Sequence, residues 1–126
     1  MTQSQRSAVD IAVAYHDAWT SGRIDEAMTY LADNFVADAP RAGHVTESQI
    51  WREALEEYVG ILTGSTLVAA FGDNTSALVH YFQDTELASG APTVEYVTVE
   101  NAQIVYLRVI FDRTPFEAAR NAAAAS

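Results

Sequence analysis

The chain contains no cysteine, which excludes disulfides and thiol chemistry together. Basic residues are scarce: seven against seventeen acidic ones, a formal charge of -10 at pH 7 and an isoelectric point near 4.4. The seven form no patch in sequence, which argues against nucleic acid or an anionic membrane as partner. No apolar run approaches the length that spans a bilayer, so no membrane association is expected. The opening MTQSQRSAVD lacks the basic-then-apolar order of a signal peptide, and a cytoplasmic location is the default expectation. The three histidines have no close ligand spacing, so neither a metal nor a cofactor is expected. Internal repeats and linkers are missing too.

What remains is ordinary for a soluble globular protein: 49% apolar and 19% charged over 126 residues, enough for one domain with a real core. The expected organisation is a single domain over residues 1–116 and an alanine-rich tail over 117–126, read as a helix that could fray. Ser7 and Asp10 have capping-box spacing, placing a helix start at Ala8. Ile11, Tyr15, Ala18 and Trp19 recur on one helical face, and Gly22 stops it. A second helix is predicted over residues 24–33, with Ile24, Ala27, Met28 and Leu31 buried. Residues 35–39 read as a short strand ended by Pro40, and 41–45 as a loop. Thr46 and Gln49 repeat the capping-box spacing, opening a third helix that runs to about Leu62 with Trp51, Leu55, Tyr58 and Leu62 as its stripe and Gly64 as its stop.

Everything after that reads as sheet: residues 66–71, 75–88, 93–100 and 103–112, separated by turns at 72–74, 89–92 and Asn101-Ala102. The order α-α-β-α-β-β-β-β predicts an α+β domain, three helices packed on one face of a strongly curved antiparallel sheet, a cone with a pocket between the layers.

Residues 93–113 carry the question of function. Alternation puts Glu95, Val97 and Val99 on one face and Tyr96 and Thr98 on the other. Pairing Ala88 with Thr93 sets Glu86 opposite Glu95 and Asp84 opposite Val97, which places His80, Phe82 and Asp84 on the face of Glu95. Two registers are open for the last hairpin. A plain two-residue loop sets Glu95 opposite Arg108 as a salt bridge. A one-residue bulge sets Glu95 among Leu107, Val109 and Phe111, with Arg108 pointing away. The second gives a carboxyl in an apolar cup, a setting that acid–base chemistry uses.

The stretch AYHDAWTSGRIDEAMTYLADNFVADAP (14–40), the hairpin VTVENAQIVYLRVIFD (97–112) and the element order between them resemble the nuclear-transport-factor-like superfamily, including its SnoaL-like, polyketide-cyclase-like members. The likeness spans about residues 9–116, with Ala102 where glycine is common. It implies a cone of curved sheet and three helices around a pocket, frequently dimeric. Within the superfamily the chain is most similar to ketosteroid isomerases. Their first-helix tyrosine falls on Tyr15, seven residues before Gly22, and their oxyanion-hole aspartate falls on Glu95. By that resemblance the two donate hydrogen bonds to a substrate oxygen, with Glu95 in its acid form. The isomerase base precedes a proline; here that slot holds Ala39, with Asp38 one residue earlier. An arginine–aspartate epoxide-hydrolase constellation is not matched.

Each candidate has a plain reading beside the functional one. Trp19 and Tyr58 are core or pocket lining. His80 is an interior residue or a group that titrates beside Glu95. Asp84 is a rim residue or a pocket carboxylate. Asp38 is an exposed strand end, or a general base if a bulge turns it inward. His16 is expected to point away from the site, and His44 to lie in a loop. The first function that follows is a cofactor-free acid–base enzyme of isomerase, cyclase, dehydratase or hydrolase type, acting on a small, largely apolar carbonyl or polycyclic molecule. Tyr15 and Glu95 would polarise an oxygen, Asp38, Asp84 or His80 would move the proton, and Trp19, Tyr58, Phe82, Val97, Leu107, Val109 and Phe111 would line the pocket. The second is a non-catalytic ligand-binding or dimeric scaffold protein of the same fold. A homodimer through the outer sheet face, with Tyr96, Thr98, Tyr106 and Ile110, is a separate expectation.

Overall fold

The computed structural model describes residues 7–125. The expectation about a leader at residues 1–6 and the final tail residue 126 lie outside the described residues. Along the chain run α1 (Ala8–Thr20), α2 (Ile24–Thr29), β1 (Leu31–Ala39), β2 (Gly43–Val45), α3 (Ser48–Val59), β3 (Leu62–Gly72), β4 (Ser76–Thr85), β5 (Ala91–Glu100), β6 (Gln103–Phe111) and α4 (Thr114–Ala125).

The first capping box is formed: the Ser7 hydroxyl accepts from the Asp10 amide, and the Asp10 carboxyl accepts from the Ser7 amide. Gly22, at φ 81, takes the left-handed conformation beyond the end of α1. Three boundaries depart from helical spacing. Residues 31–34 belong to β1 because Leu31 pairs in parallel with Ile104, so tertiary pairing overrides the local period. Residues 43–45 are a strand that pairs back onto β1, not a loop. The second capping box is unused: Glu47 caps α3 without a side-chain bond, Gly60 follows its last residue, and Leu62 opens β3.

The sheet order is β2-β1-β6-β5-β4-β3. The β1–β6 pair is parallel and the others antiparallel, so the α+β class stands while the sheet is mixed, not purely antiparallel. Among the described residues the helices number four, not three. The fourth begins at Thr114, inside the expected domain boundary, and buried Phe116 anchors it against Phe111 at a ring distance of 5.2 Å. The core lies between the inner sheet face (Ala77, Val79, Tyr81, Val97, Val99, Ile104, Leu107) and the apolar faces of α1 and α3. No helix among the described residues is long and apolar enough to cross a membrane.

Two registers position the site. Thr85 ends β4 early: its amide donates to the Ala88 carbonyl at 2.8 Å, and its hydroxyl accepts from the amides of Leu87 and Ala88. Residues 86–88 are therefore turn, and β5 pairs with Gln83 opposite Ala91 and Val79 opposite Glu95. That is an odd shift from the predicted pairing, and it flips the face of every β4 side chain relative to Glu95. Between β5 and β6, Asn101 and Ala102 have φ of 52 and 62, as a two-residue primed turn requires. Just beyond it, Thr98 pairs with Tyr106 and Val99 with Ile104, leaving Val105 as a bulge. Glu95 then faces Val109, and Arg108 sits opposite Tyr96. The turn is short and the strand is bulged, so the apolar-cup register is the one that forms.

Candidate active site

A pocket of about 740 Å³ lies between the inner sheet face and α1, α3 and α4. Its walls are largely apolar and aromatic: Trp19, Trp51, Leu55, Tyr58, Tyr81, Val109, Phe111 and Phe116. Glu95 and Gln83 supply polar groups from the sheet, and Arg41, Glu57, Arg113, Glu117 and Arg120 also line it.

Glu95 is 3% exposed, between Thr93 and Val97 on the buried face of β5. Its Oε2 lies 3.4 Å from Nδ1 of buried His16, whose Nε2 is 3.3 Å from the Ser65 hydroxyl on β3. A Ser65 hydroxyl donating to Nε2 leaves the Nδ1 proton to donate to Glu95, a tautomer assigned from the network. The imidazole packs on Tyr81 at a centroid distance of 4.3 Å and meets Trp19 edge-on at 5.8 Å. His16 is thus the residue that sequence reasoning sent the wrong way. A signal was present: Ala8, Ala12, His16 and Trp19 form their own stripe at spacings that α1 buries, beside the stripe of Ile11 and Tyr15.

Phenols surround the carboxyl. Burial pushes the Tyr81 hydroxyl well above its ordinary value, and the charge of Glu95 adds to this. The Tyr15 hydroxyl is raised for the same two reasons, opposed by the bond it accepts from the Trp51 indole at 2.9 Å. Tyr58 is raised chiefly by burial, the Arg120 charge opposing and the Glu95 charge adding. Its hydroxyl donates to the Gln83 side-chain oxygen, and the Gln83 amide donates to the Thr93 hydroxyl. Among the described residues, one buried polar side-chain atom has no partner, Nε1 of Trp19. An unmet buried donor costs about 1–3 kcal/mol.

Of the expected site residues, Glu95, Trp19, Tyr58, Val109 and Phe111 line the pocket. Tyr15 is buried behind the lining, its hydroxyl held by Trp51. Val97 and Leu107 are fully in the core. His80, Phe82 and Asp84 lie on the opposite face, because of the β4–β5 register. The Nδ1 of His80 is 3.0 Å from the Thr93 carbonyl, Phe82 is exposed, and Asp84 accepts from the Gly90 amide at 2.6 Å. Asp38 also faces away: Ala37 and Ala39 take the inward positions on β1, and the irregularity of that strand falls earlier, between Leu31 and Val36. Its carboxyl binds His44 Nδ1 at 2.8 Å, the Tyr106 hydroxyl at 2.8 Å and Arg108 at 3.5 Å. The His44 bond first and the Tyr106 bond second hold it below the usual carboxylate range. No group of three or more potential metal ligands occurs among the described residues.

Comparison with known proteins agrees with this architecture. No family profile and no curated protein matches the sequence. Among solved structures, a protein from Kribbella flavida DSM 17836 is 43% identical, with a TM-score of 0.90 over 95% of this chain and 98% of that one. A nuclear-transport-factor-like protein of unknown function from Cytophaga hutchinsonii is 18% identical, with a TM-score of 0.78 over 92% and 99%. An epoxide hydrolase of the LEH-like type from Mycobacterium tuberculosis is 14% identical, with a TM-score of 0.71 over 89% and 87%. At such identities the last two speak to the fold alone.

Proposed function

From the nuclear-transport-factor-like fold that the chain shares with its structural neighbours, we propose that its pocket binds a small, largely apolar, oxygen-bearing molecule and that Glu95 moves a proton on it. The observation that carries this reading is a 3% exposed carboxylic side chain opening onto an apolar pocket with a histidine behind it. Glu95 takes a proton from a carbon beside a carbonyl, so that the C–H bond breaks as the carboxyl O–H forms. The electron pair moves onto the carbonyl oxygen, giving an enolate held within the pocket. Returning the proton to the same or a conjugated carbon completes exchange or isomerisation. His16 is a positioning residue that holds the carboxyl in place through the Ser65-fixed ring. The Tyr15 hydroxyl, to which the resemblance assigned the polarising of that oxygen, is engaged by Trp51.

The test is deuterium incorporation beside the carbonyl of a panel of cyclic ketones in heavy water, followed by NMR. Wild-type protein is expected to catalyse exchange on at least one ketone, and Glu95→Gln to lose about a hundredfold or more of it. Exchange at the wild-type rate in Glu95→Gln removes the reading. A ligand-binding protein without turnover is the second reading. One observation favours it: Asp38, Asp84 and His80 all lie off the pocket, leaving Glu95 as the one carboxylic acid on its buried floor. Saturable binding of a ketone with no exchange would select it.

We propose further that two copies pair through the outer sheet face. Phe71, Leu78, Phe82 and Ile110 are exposed there, beside the Tyr96–Tyr106 ring pair. A monomer by light scattering at micromolar concentration would exclude this.

A further inference from the structure

The chain has seventeen acidic residues and seven basic ones, all seven of them arginines. In such a chain an arginine finds a carboxylate easily, and five of the six described arginines do. Arg23 pairs with Asp17 and Glu26, Arg52 with Asp25 and Glu56, and Arg108 with Asp38. Arg41 lies 4.0 Å from Glu57, and Arg113 lies 2.6 Å from Glu117. Arg120 alone has no acidic partner among the described residues. It projects from α4 onto the pocket wall, where its charge reaches the Tyr58 hydroxyl. Glu95 lines the same cavity from the sheet side. Trp51, Leu55, Phe111 and Phe116 add apolar walls to the cavity.

Resting on the reading of this pocket as the functional site, we propose that its ligand is an amphipathic carboxylic acid. The carboxylate meets Arg120 on the α4 side, an apolar body fills the middle, and a carbonyl oxygen lies toward Glu95. One free guanidinium fits a monoanion and matches the planar carboxylate with its donor fork. Glu95 sets the direction, because its own carboxyl disfavours an anion at the floor. The same polarity brings the carbonyl, not the carboxylate, to the proton-moving group.

The experiment is calorimetric titration of the full chain with an acetylnaphthoic acid and with its primary carboxamide, which share a ring and a ketone and differ in charge. The acid is expected to bind roughly tenfold tighter than the amide at low salt, an advantage that shrinks as salt is raised. Arg120→Gln is expected to erase that ratio by weakening the acid alone. Arg23→Gln, whose guanidinium Asp17 and Glu26 hold away from the pocket, is expected to leave it within about twofold. Equal binding of acid and amide to wild type, or an undiminished ratio in Arg120→Gln, overturns the carboxylate claim and leaves the pocket reading standing. Failure of both compounds to bind overturns the two together.

Discussion

Two carboxylate–histidine pairs occur among the described residues, and they differ in everything but chemistry. Glu95 and His16 are 3.4 Å apart, with side chains 4% and 7% exposed. Asp38 and His44 are 2.8 Å apart, with side chains 24% and 64% exposed. The outer pair is the shorter, and its carboxylate is satisfied by Tyr106 and Arg108 as well. Distance therefore ranks the pairs one way and environment the other. In water a close ion pair is worth little, because solvent screens the charge and competes for both groups. Under apolar cover each group depends on the other, and the carboxyl is also offered to a cavity. Burial beside a cavity, not the shortest contact, marks the pair that can do chemistry.

The largest effect expected from this contrast is on stability. His16→Leu leaves Glu95 without its buried partner, and a loss of about 3–5 kcal/mol is expected in urea unfolding. The double variant His16→Leu/Glu95→Leu is expected to recover most of it, since two apolar side chains need no partner. His44→Ala, by contrast, is expected to leave the urea midpoint unchanged within error. Equal losses in His16→Leu and His44→Ala would erase the distinction between the pairs.

Alkaline pH tests the inner region from another side. Tyr15 and Tyr81 have folded values raised by burial and by Glu95. A raised value means that the folded protein disfavours the phenolate. The stability this contributes is whole below the unfolded value near 10 and falls as pH rises beyond it. Each phenol is expected to remove roughly 1.4 kcal/mol per pH unit in that range. Tyrosinate absorbance should therefore rise together with unfolding, and Tyr81→Phe should flatten the alkaline slope. Tyrosinate formation by these groups in a fully folded protein would show that the inner wall is open to water.

The same contrast separates what the sequence makes legible from what it does not. Element type was legible because apolar spacing along α1 and alternation along β5 follow from burial of one face. Glu95 stood out for the same reason, as a carboxylate in the inward register of β5. What failed was everything one residue of register away. The Thr85 turn ends β4 early, and with it His80, Phe82 and Asp84 change sides. No periodicity within β4 reports this, since both of its faces carry apolar residues. The Val105 bulge had the opposite fate, because the apolar run Leu107, Val109, Phe111 requires it if Glu95 is to share their face. His16 was lost to a different cause. A helix packed between a sheet and a second helix buries more than one stripe, and a single stripe through Tyr15 leaves its neighbour unassigned.

The smallest effect belongs to the outer pair. The Asp38 carboxyl is held below its ordinary value by the His44 and Tyr106 bonds. Stability from such a group is present above the unfolded value near 4 and is lost as pH falls through the folded one. Asp38→Asn is therefore expected to lower the melting temperature at neutral pH, and only slightly, because solvent screens the cluster. In acid, where wild type has lost this contribution, the two melting temperatures should converge, and at neutral pH ketone exchange should stay within about twofold, the usual size of a surface change remote from the reacting atoms. A large loss of exchange in Asp38→Asn, with Glu95→Gln unaffected, would move the chemistry to the outer face and invert the comparison. Short contacts would then have been the better guide, and the cavity above Glu95 would be a space left by packing.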